Sequence, residues 1–132
     1  MQDLDFLPFD ALRDEPGFRA ILDRISVRLN QALAIASGTG MTLALETHDD
    51  WTDSAVFARL MAEVNHPRVR VLWDLHHPYR TNGEDPQFTY NNLAPYTVST
   101  HFKDSLPTPE GGHVYTLLGE GDVPLQEMLD LL

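Results

Sequence analysis

The chain has 132 residues, a formal net charge of −11, 42% hydrophobic and 22% charged residues, and no cysteine. That length and balance give one folded domain rather than a disordered chain, and the missing cysteines set aside disulfides and thiolate metal sites. One lysine and eight scattered arginines against twenty acids argue against a nucleic-acid partner, because backbone affinity rests on Lys and Arg releasing counterions. No apolar run approaches the roughly 18 residues of a membrane span. The amino terminus lacks the basic start and apolar core of a signal peptide, so a cytoplasmic protein with no membrane partner is expected.

No regular structure is assigned to residues 1–16, where Phe6, Leu7, Phe9 and Leu12 lie among acids and prolines. Asp14-Glu15-Pro16 reads as a helix start. After it Phe18, Ile21, Leu22, Ile25, Leu29, Ala32, Leu33 and Ala36 recur at helical spacing, and Ser37-Gly38-Thr39-Gly40 stops the helix. Met41 to Glu46 is the first predicted strand. Thr52 or Asp53 caps the next helix, whose buried stripe is Val56, Phe57, Leu60, Met61 and Val64, and Asn65-His66-Pro67 ends it.

Val69 to Tyr79 then begins as a β-branched apolar strand and stops abruptly in Asp74, His76 and His77. Asp85-Pro86 opens a short helix with Phe88 and Leu93, and Pro95 breaks it before a strand from Thr97 to Phe102. The Pro- and Gly-rich segment Ser105–Asp122 is too long for a bare connector and reads as an active-site loop. A final helix begins at Val123-Pro124. Strands alternating with helices give an α/β chain with a parallel sheet, in which ligands bind at the carboxyl ends of the strands.

Polar residues collect at those ends. Glu46 and His48 close the first strand, Asp74, His76 and His77 the second, and His101, Lys103 and Asp104 the third. Glu46 and Asp74 are 28 positions apart, Asp74 and His101 27, each step the size of one βα unit. Two carboxylates and an imidazole suit one divalent ion: Mn²⁺, Mg²⁺, Co²⁺ or Zn²⁺. Taken singly, an Asp after a strand is more often a helix cap, and a His there more often a surface or hydrogen-bonded imidazole. Three in step are harder to dismiss.

His76 and His77 point to opposite sides of a continuing strand, and a turn after Asp74 would instead bring His77 back beside the carboxylate. His48 shares Glu46's face if that strand extends, and Lys103 reaches the same pocket from two residues beyond His101. Trp51 and Trp73 are either a sugar platform or packing. His66 and His113 have no supporting context and read as surface residues.

The segments Leu-Ala-Leu-Glu46-Thr-His48, Trp-Asp74-Leu-His-His77-Pro, His101-Phe-Lys103-Asp104 and Leu118-Gly-Glu-Gly-Asp122, in this order, resemble the xylose isomerase-like TIM-barrel superfamily, particularly its sugar phosphate isomerase/epimerase group. The resemblance spans about residues 17 to 132. It implies a partial (β/α)₈ barrel, approximately from the fourth helix to the seventh. It further implies Glu46, Asp74 and His101 as metal ligands, Glu46 also as catalytic acid/base, and His77 as a contact to a sugar or sugar phosphate. Lys103 and Asp104 fit the family's His-x-Lys-Asp variant, and His48 and Lys103 are expected to contact the substrate from their positions beside the set.

The family's further glutamate at the end of the eighth strand lies beyond this chain. Residues 1–132 are therefore expected to be the C-terminal part of a barrel missing its first strands and its last. They would be a fragment, or a half that pairs with a complementary chain or a second copy. The implied activity is isomerisation or epimerisation through an enediolate. Rivals are an inosose dehydratase-like lyase, an endonuclease IV-like repair enzyme (disfavoured by the charge), and a non-catalytic sugar- or protein-binding domain.

Overall fold

The computed structural model describes residues 15–132; Asp14 and the unassigned start of the chain lie outside them. Helix α1 (Glu15–Ile35) carries Pro16 in its first turn and buries Phe18, Ile21, Leu22, Leu29 and Leu33. These positions repeat every three or four residues, so one face meets the core. The helix stops where expected: Thr39 Oγ1 donates to the Ala36 carbonyl at 2.7 Å, and Gly38 takes φ +78°.

Three strands follow, β1 (Leu43–Glu46), β2 (Val69–Asp74) and β3 (Thr97–His101), forming one parallel sheet in the order β1-β2-β3. Period-two alternation sorts β2 cleanly. Val69, Val71 and Trp73 are at most 1% exposed and belong to the core with Phe57, Leu60 and Met61 of α2 (Ser54–Val64). Arg70, Leu72 and Asp74 take the other face. Trp73 is thus core packing and not a sugar platform; truncating so large a buried ring typically costs about 3–5 kcal/mol.

Helix α2 starts at Asp53, whose carboxylate accepts the N–H groups of Ala55 and Val56 at 3.1 Å each, a cap worth about 1 kcal/mol. It ends at Asn65 in the left-handed region, where Asn is tolerated better than most residues.

Two short helices connect β2 to β3: α3 (His76–Asn82) and α4 (Pro86–Leu93). The first was not foreseen, because His-His-Pro-Tyr-Arg-Thr-Asn has no apolar stripe of its own. The second starts as expected, with Asp85 accepting from Gln87 N and Phe88 N. Its Leu93 is fully buried, whereas Phe88 is exposed.

The expected loop at Ser105–Asp122 is in part an antiparallel hairpin, β4 (Asp104–Pro107) and β5 (His113–Thr116). Gly111 and Gly112, at φ +87° and +92°, make its turn, a conformation other residues enter only at a cost. Helix α5 (Leu125–Leu131) closes the described chain. The whole is an open, three-stranded part of a TIM barrel. Among the described residues no helix is long and apolar enough to cross a membrane.

Candidate metal centre

The polar ends of the three strands come together because the sheet register aligns them. Asp74 pairs with His101 across β2 and β3, and Glu46 pairs with Leu72, two residues before Asp74, across β1 and β2. All three side chains therefore leave the same face. Thr47, fully buried, ties the first two strand ends together: its Oγ1 accepts Asp74 N–H at 2.9 Å and donates to Asp74 O at 3.2 Å.

His101 Nδ1 lies 2.9 Å from Glu46 Oε1 and 3.9 Å from Asp74 Oδ2. One ligand atom from each of Glu46, Asp74 and His101 falls within 4.8 Å of the others. An ion with bonds of about 2.0–2.2 Å requires donors roughly 3–4 Å apart, so the set fits a divalent cation with little adjustment. The Asp74 side chain is 0% exposed, and its Oδ2 makes no aligned hydrogen bond. A buried carboxylate oxygen left this way demands a positive charge. Lys103 Nζ supplies one at 2.6 Å.

The remaining residues expected at the site are also present. The chain turns into α3 immediately after Asp74, with Asp74 Oδ1 accepting His76 N–H at 3.0 Å. This turn returns His77, so that Nε2 sits 3.6 Å from Asp74 Oδ2 and accepts from Lys103 Nζ at 2.9 Å. Burial depresses the His77 pKa; Asp74 opposes that, while Lys103 and His48 add to it. Because the Lys103 ammonium can only donate, His77 Nε2 is the acceptor in their contact.

β1 ends at Glu46, so the strand does not extend far enough to carry His48 in on Glu46's face. A bend brings it in instead, its ring centroid 4.3 Å from that of His77 and its Nδ1 2.9 Å from Asp49 Oδ1. Trp51 packs on Phe57 at 5.8 Å and lines a groove shared with Glu46.

A second cluster lies behind the first and was missed. His76 is 0% exposed and its Nε2 meets Ser105 Oγ at 2.8 Å. Ser105 Oγ also accepts from Arg80 Nε at 2.9 Å. Arg80 donates as well to the Ser105 carbonyl at 3.0 Å and pairs with Asp122. Desolvation, His113 and His77 together push the His76 pKa down to about 4, against the pull of Asp74.

His113, read as a bare surface residue, is partly buried with its ring 4.7 Å from His76 and 4.9 Å from Tyr115. The missed signal was the pair of short runs either side of Gly111-Gly112, which folds His113 back over α3. Ligand atoms of Asp74, His76 and His77 also lie within 4.8 Å of one another, a second donor set sharing Asp74.

Asp104 plays a different part from its neighbours. It is buried and accepts backbone N–H groups from Ser105 (2.9 Å), Gly119 (2.8 Å), Gly121 (3.0 Å) and Val123 (3.3 Å). Burial alone would raise its pKa, but these four bonds outweigh it and hold the carboxyl below its ordinary value. Asp104 thus pins the Leu117–Val123 turn beneath the hairpin.

A protein-family model described as "Xylose isomerase-like TIM barrel" matches residues 8–132, and the chain belongs to that family. No curated protein matches the sequence significantly. Two solved structures share the fold at 22% identity. One is a xylose isomerase domain protein from Planctomyces limnophilus, with a TM-score of 0.72 over 96% of this chain and 45% of that one. The other is a probable 3-DHS dehydratase, AsbF, of petrobactin synthesis in Bacillus anthracis, with a TM-score of 0.68 over 80% and 44%. The chain therefore spans less than half the length of either structure.

Proposed function

We propose that this chain carries the metal-binding and proton-transfer residues of a divalent-metal-dependent sugar or sugar phosphate isomerase or epimerase. The observation that carries the proposal is the convergence of Glu46, Asp74 and His101 on one face, with Lys103 and His77 beside them. Glu46, Asp74 and His101 would hold the ion, which when bound polarises a carbonyl and a neighbouring hydroxyl of the substrate.

Glu46 is the base. Its side chain is 32% exposed, and only Oε1 is engaged by His101, which leaves Oε2 to take the proton from the carbon beside the carbonyl. The negative charge that develops is an enediolate. Lys103 and the rings of His48 and His77 lie beside one another and contact the substrate's hydroxyl or phosphate oxygens. Returning the proton to the other carbon or the other face needs a second acid. The family likeness assigns that role to a further glutamate outside residues 1–132, so the activity belongs to a barrel completed by other strands, in this polypeptide or a partner.

A dehydratase reading starts from the same proton abstraction and is favoured by one finding, that one structural neighbour is a probable 3-DHS dehydratase. The two readings part at the second step, where a dehydratase expels a hydroxyl and an isomerase returns a proton. Incubation of the completed enzyme with Mn²⁺ and a ketose panel in D₂O, followed by NMR, separates them. Deuterium at the carbon next to the carbonyl with no loss of water supports isomerisation or epimerisation. An unsaturated product supports the lyase, and neither signal from any substrate would sink both.

A further inference from the structure

Asp74 Oδ2 is claimed by two cations. It faces His101 Nδ1 at 3.9 Å across the proposed ion position, and it already holds the Lys103 ammonium at 2.6 Å. Lys103 is gripped on its other side by His77 Nε2 at 2.9 Å. It is the chain's only lysine, and its side chain is 30% exposed. One side of the ammonium therefore meets a buried acid and an imidazole nitrogen, while part of the side chain still reaches the surface. The flexible four-carbon stem of lysine allows it to swing. An ammonium at 2.6 Å and a divalent ion at about 2.0–2.2 Å from the same oxygen can lie no farther apart than about 4.8 Å, so their like charges repel strongly at a carboxylate that water does not reach.

We propose that Lys103 is a displaceable internal cation, exchanging with the divalent ion at Asp74 and released toward the substrate side of the site when the ion binds. The proposal rests on the metal-site reading above and adds a specific coupling to it. Before exchange, the ammonium spares the protein an unpaired buried carboxylate. After exchange, the same charge is free to meet an anionic substrate oxygen. Lys103 thus lowers the intrinsic affinity for the ion, because part of the binding free energy goes into expelling it, and in return ion loading brings a substrate contact into play. A lysine that only recognised substrate would leave ion affinity unchanged. A lysine that only stabilised the fold would be missed equally with and without the ion.

The test is Mn²⁺ binding, read from the electron paramagnetic resonance signal of the free ion, with thermal melts in the presence and absence of Mn²⁺. It is run on the wild-type chain, Lys103→Met, Lys103→Gln and Glu46→Ala. Both Lys103 variants are expected to bind Mn²⁺ at least tenfold more tightly than wild type. They should melt lower without the ion and recover more than wild type when it is added. A variant that folds only with Mn²⁺ present is the same result in its extreme form.

Wild type binding Mn²⁺ while both Lys103 variants bind no more tightly overturns the exchange and leaves the metal site standing. Variants that fail to fold with or without the ion also overturn it, since the ion should replace the ammonium. If folded wild type and both Lys103 variants bind no Mn²⁺, the metal reading itself falls and the exchange with it. Glu46→Ala, which removes a ligand but not Lys103, checks that the bound ion is at this site.

Discussion

Thr47 Oγ1 exchanges two hydrogen bonds with the backbone of Asp74, so a fully buried hydroxyl sets the relative height of the first two strand ends. Replacing it with the isosteric Val leaves a buried N–H and a buried carbonyl without that partner. The expected cost is about 1–3 kcal/mol, read by denaturant unfolding, together with weaker divalent-ion binding because Glu46 and Asp74 lose their common anchor. Thr47→Ser, which keeps the hydroxyl, should restore most of both. Equal losses in Val and Ser variants would show that the methyl group and not the hydrogen bonds matters.

Gly121 has no room for a side chain. A Cβ there would lie within the Asp104 carboxylate and 2.6 Å from the Ser105 carbonyl oxygen. Gly121→Ala must push Asp104 off the N–H groups of Gly119, Gly121 and Val123 that it holds. We expect roughly 1–3 kcal/mol of destabilisation from overpacking, with raised amide hydrogen exchange across residues 117–123. Unchanged exchange there would mean that Asp104 does not organise this turn.

His76 makes stability depend on pH in a defined window. Its folded pKa of about 4 lies below the ordinary 6.5, so between those values the unfolded chain binds more protons than the native one. Stability therefore falls as pH drops from 6.5 toward 4, by at most roughly 1.4 kcal/mol per pH unit from this group. Below the folded pKa the loss levels off. Asp104, whose pKa is held low, contributes stability above its unfolded value of 3.8 that disappears only in stronger acid. Urea unfolding of wild type and His76→Gln between pH 4 and 8 checks this: the variant should lose much of the slope between 6.5 and 4. The same slope in both proteins would assign it elsewhere.

Arg80 joins α3 to the hairpin through Ser105 and Asp122. Its side chain is mostly buried, so Arg80→Met leaves Ser105 and the neighbouring acid without their donor. Limited proteolysis should then cut faster in the Pro107–His113 turn while cleavage in the α2 region stays unchanged. Uniform acceleration at both places would indicate global unfolding instead.

Much of this arrangement is legible in the residues, and where it is not the reasons are physical. The strand–helix alternation and the caps at Asp53 and Asp85 follow from local patterns, because apolar periodicity and short polar caps act over a few residues. The convergence of Glu46, Asp74 and His101 was readable from their spacing, since each ends a strand one βα unit from the next. Helix α3 was not. Its sequence has no apolar stripe, and its place is set by Asp74 accepting His76 N–H and by burial of both histidines against the rest of the fold. The hairpin was hidden by the prolines and glycines around it. Its pairing of Asp104 with Thr116 and of Pro107 with His113 only then carries His113 onto His76. Contacts of that kind depend on tertiary placement, which the short runs either side of Gly111-Gly112 do not specify by themselves.

The most direct measurement is a Mn²⁺ titration of the folded chain and of its Glu46→Ala and His101→Ala variants, by calorimetry at one pH and ionic strength, with circular dichroism to confirm folding. The expected result is one ion per wild-type chain and at least a tenfold loss of affinity in each variant. Unchanged binding in both folded variants would contradict a metal site built from Glu46, Asp74 and His101.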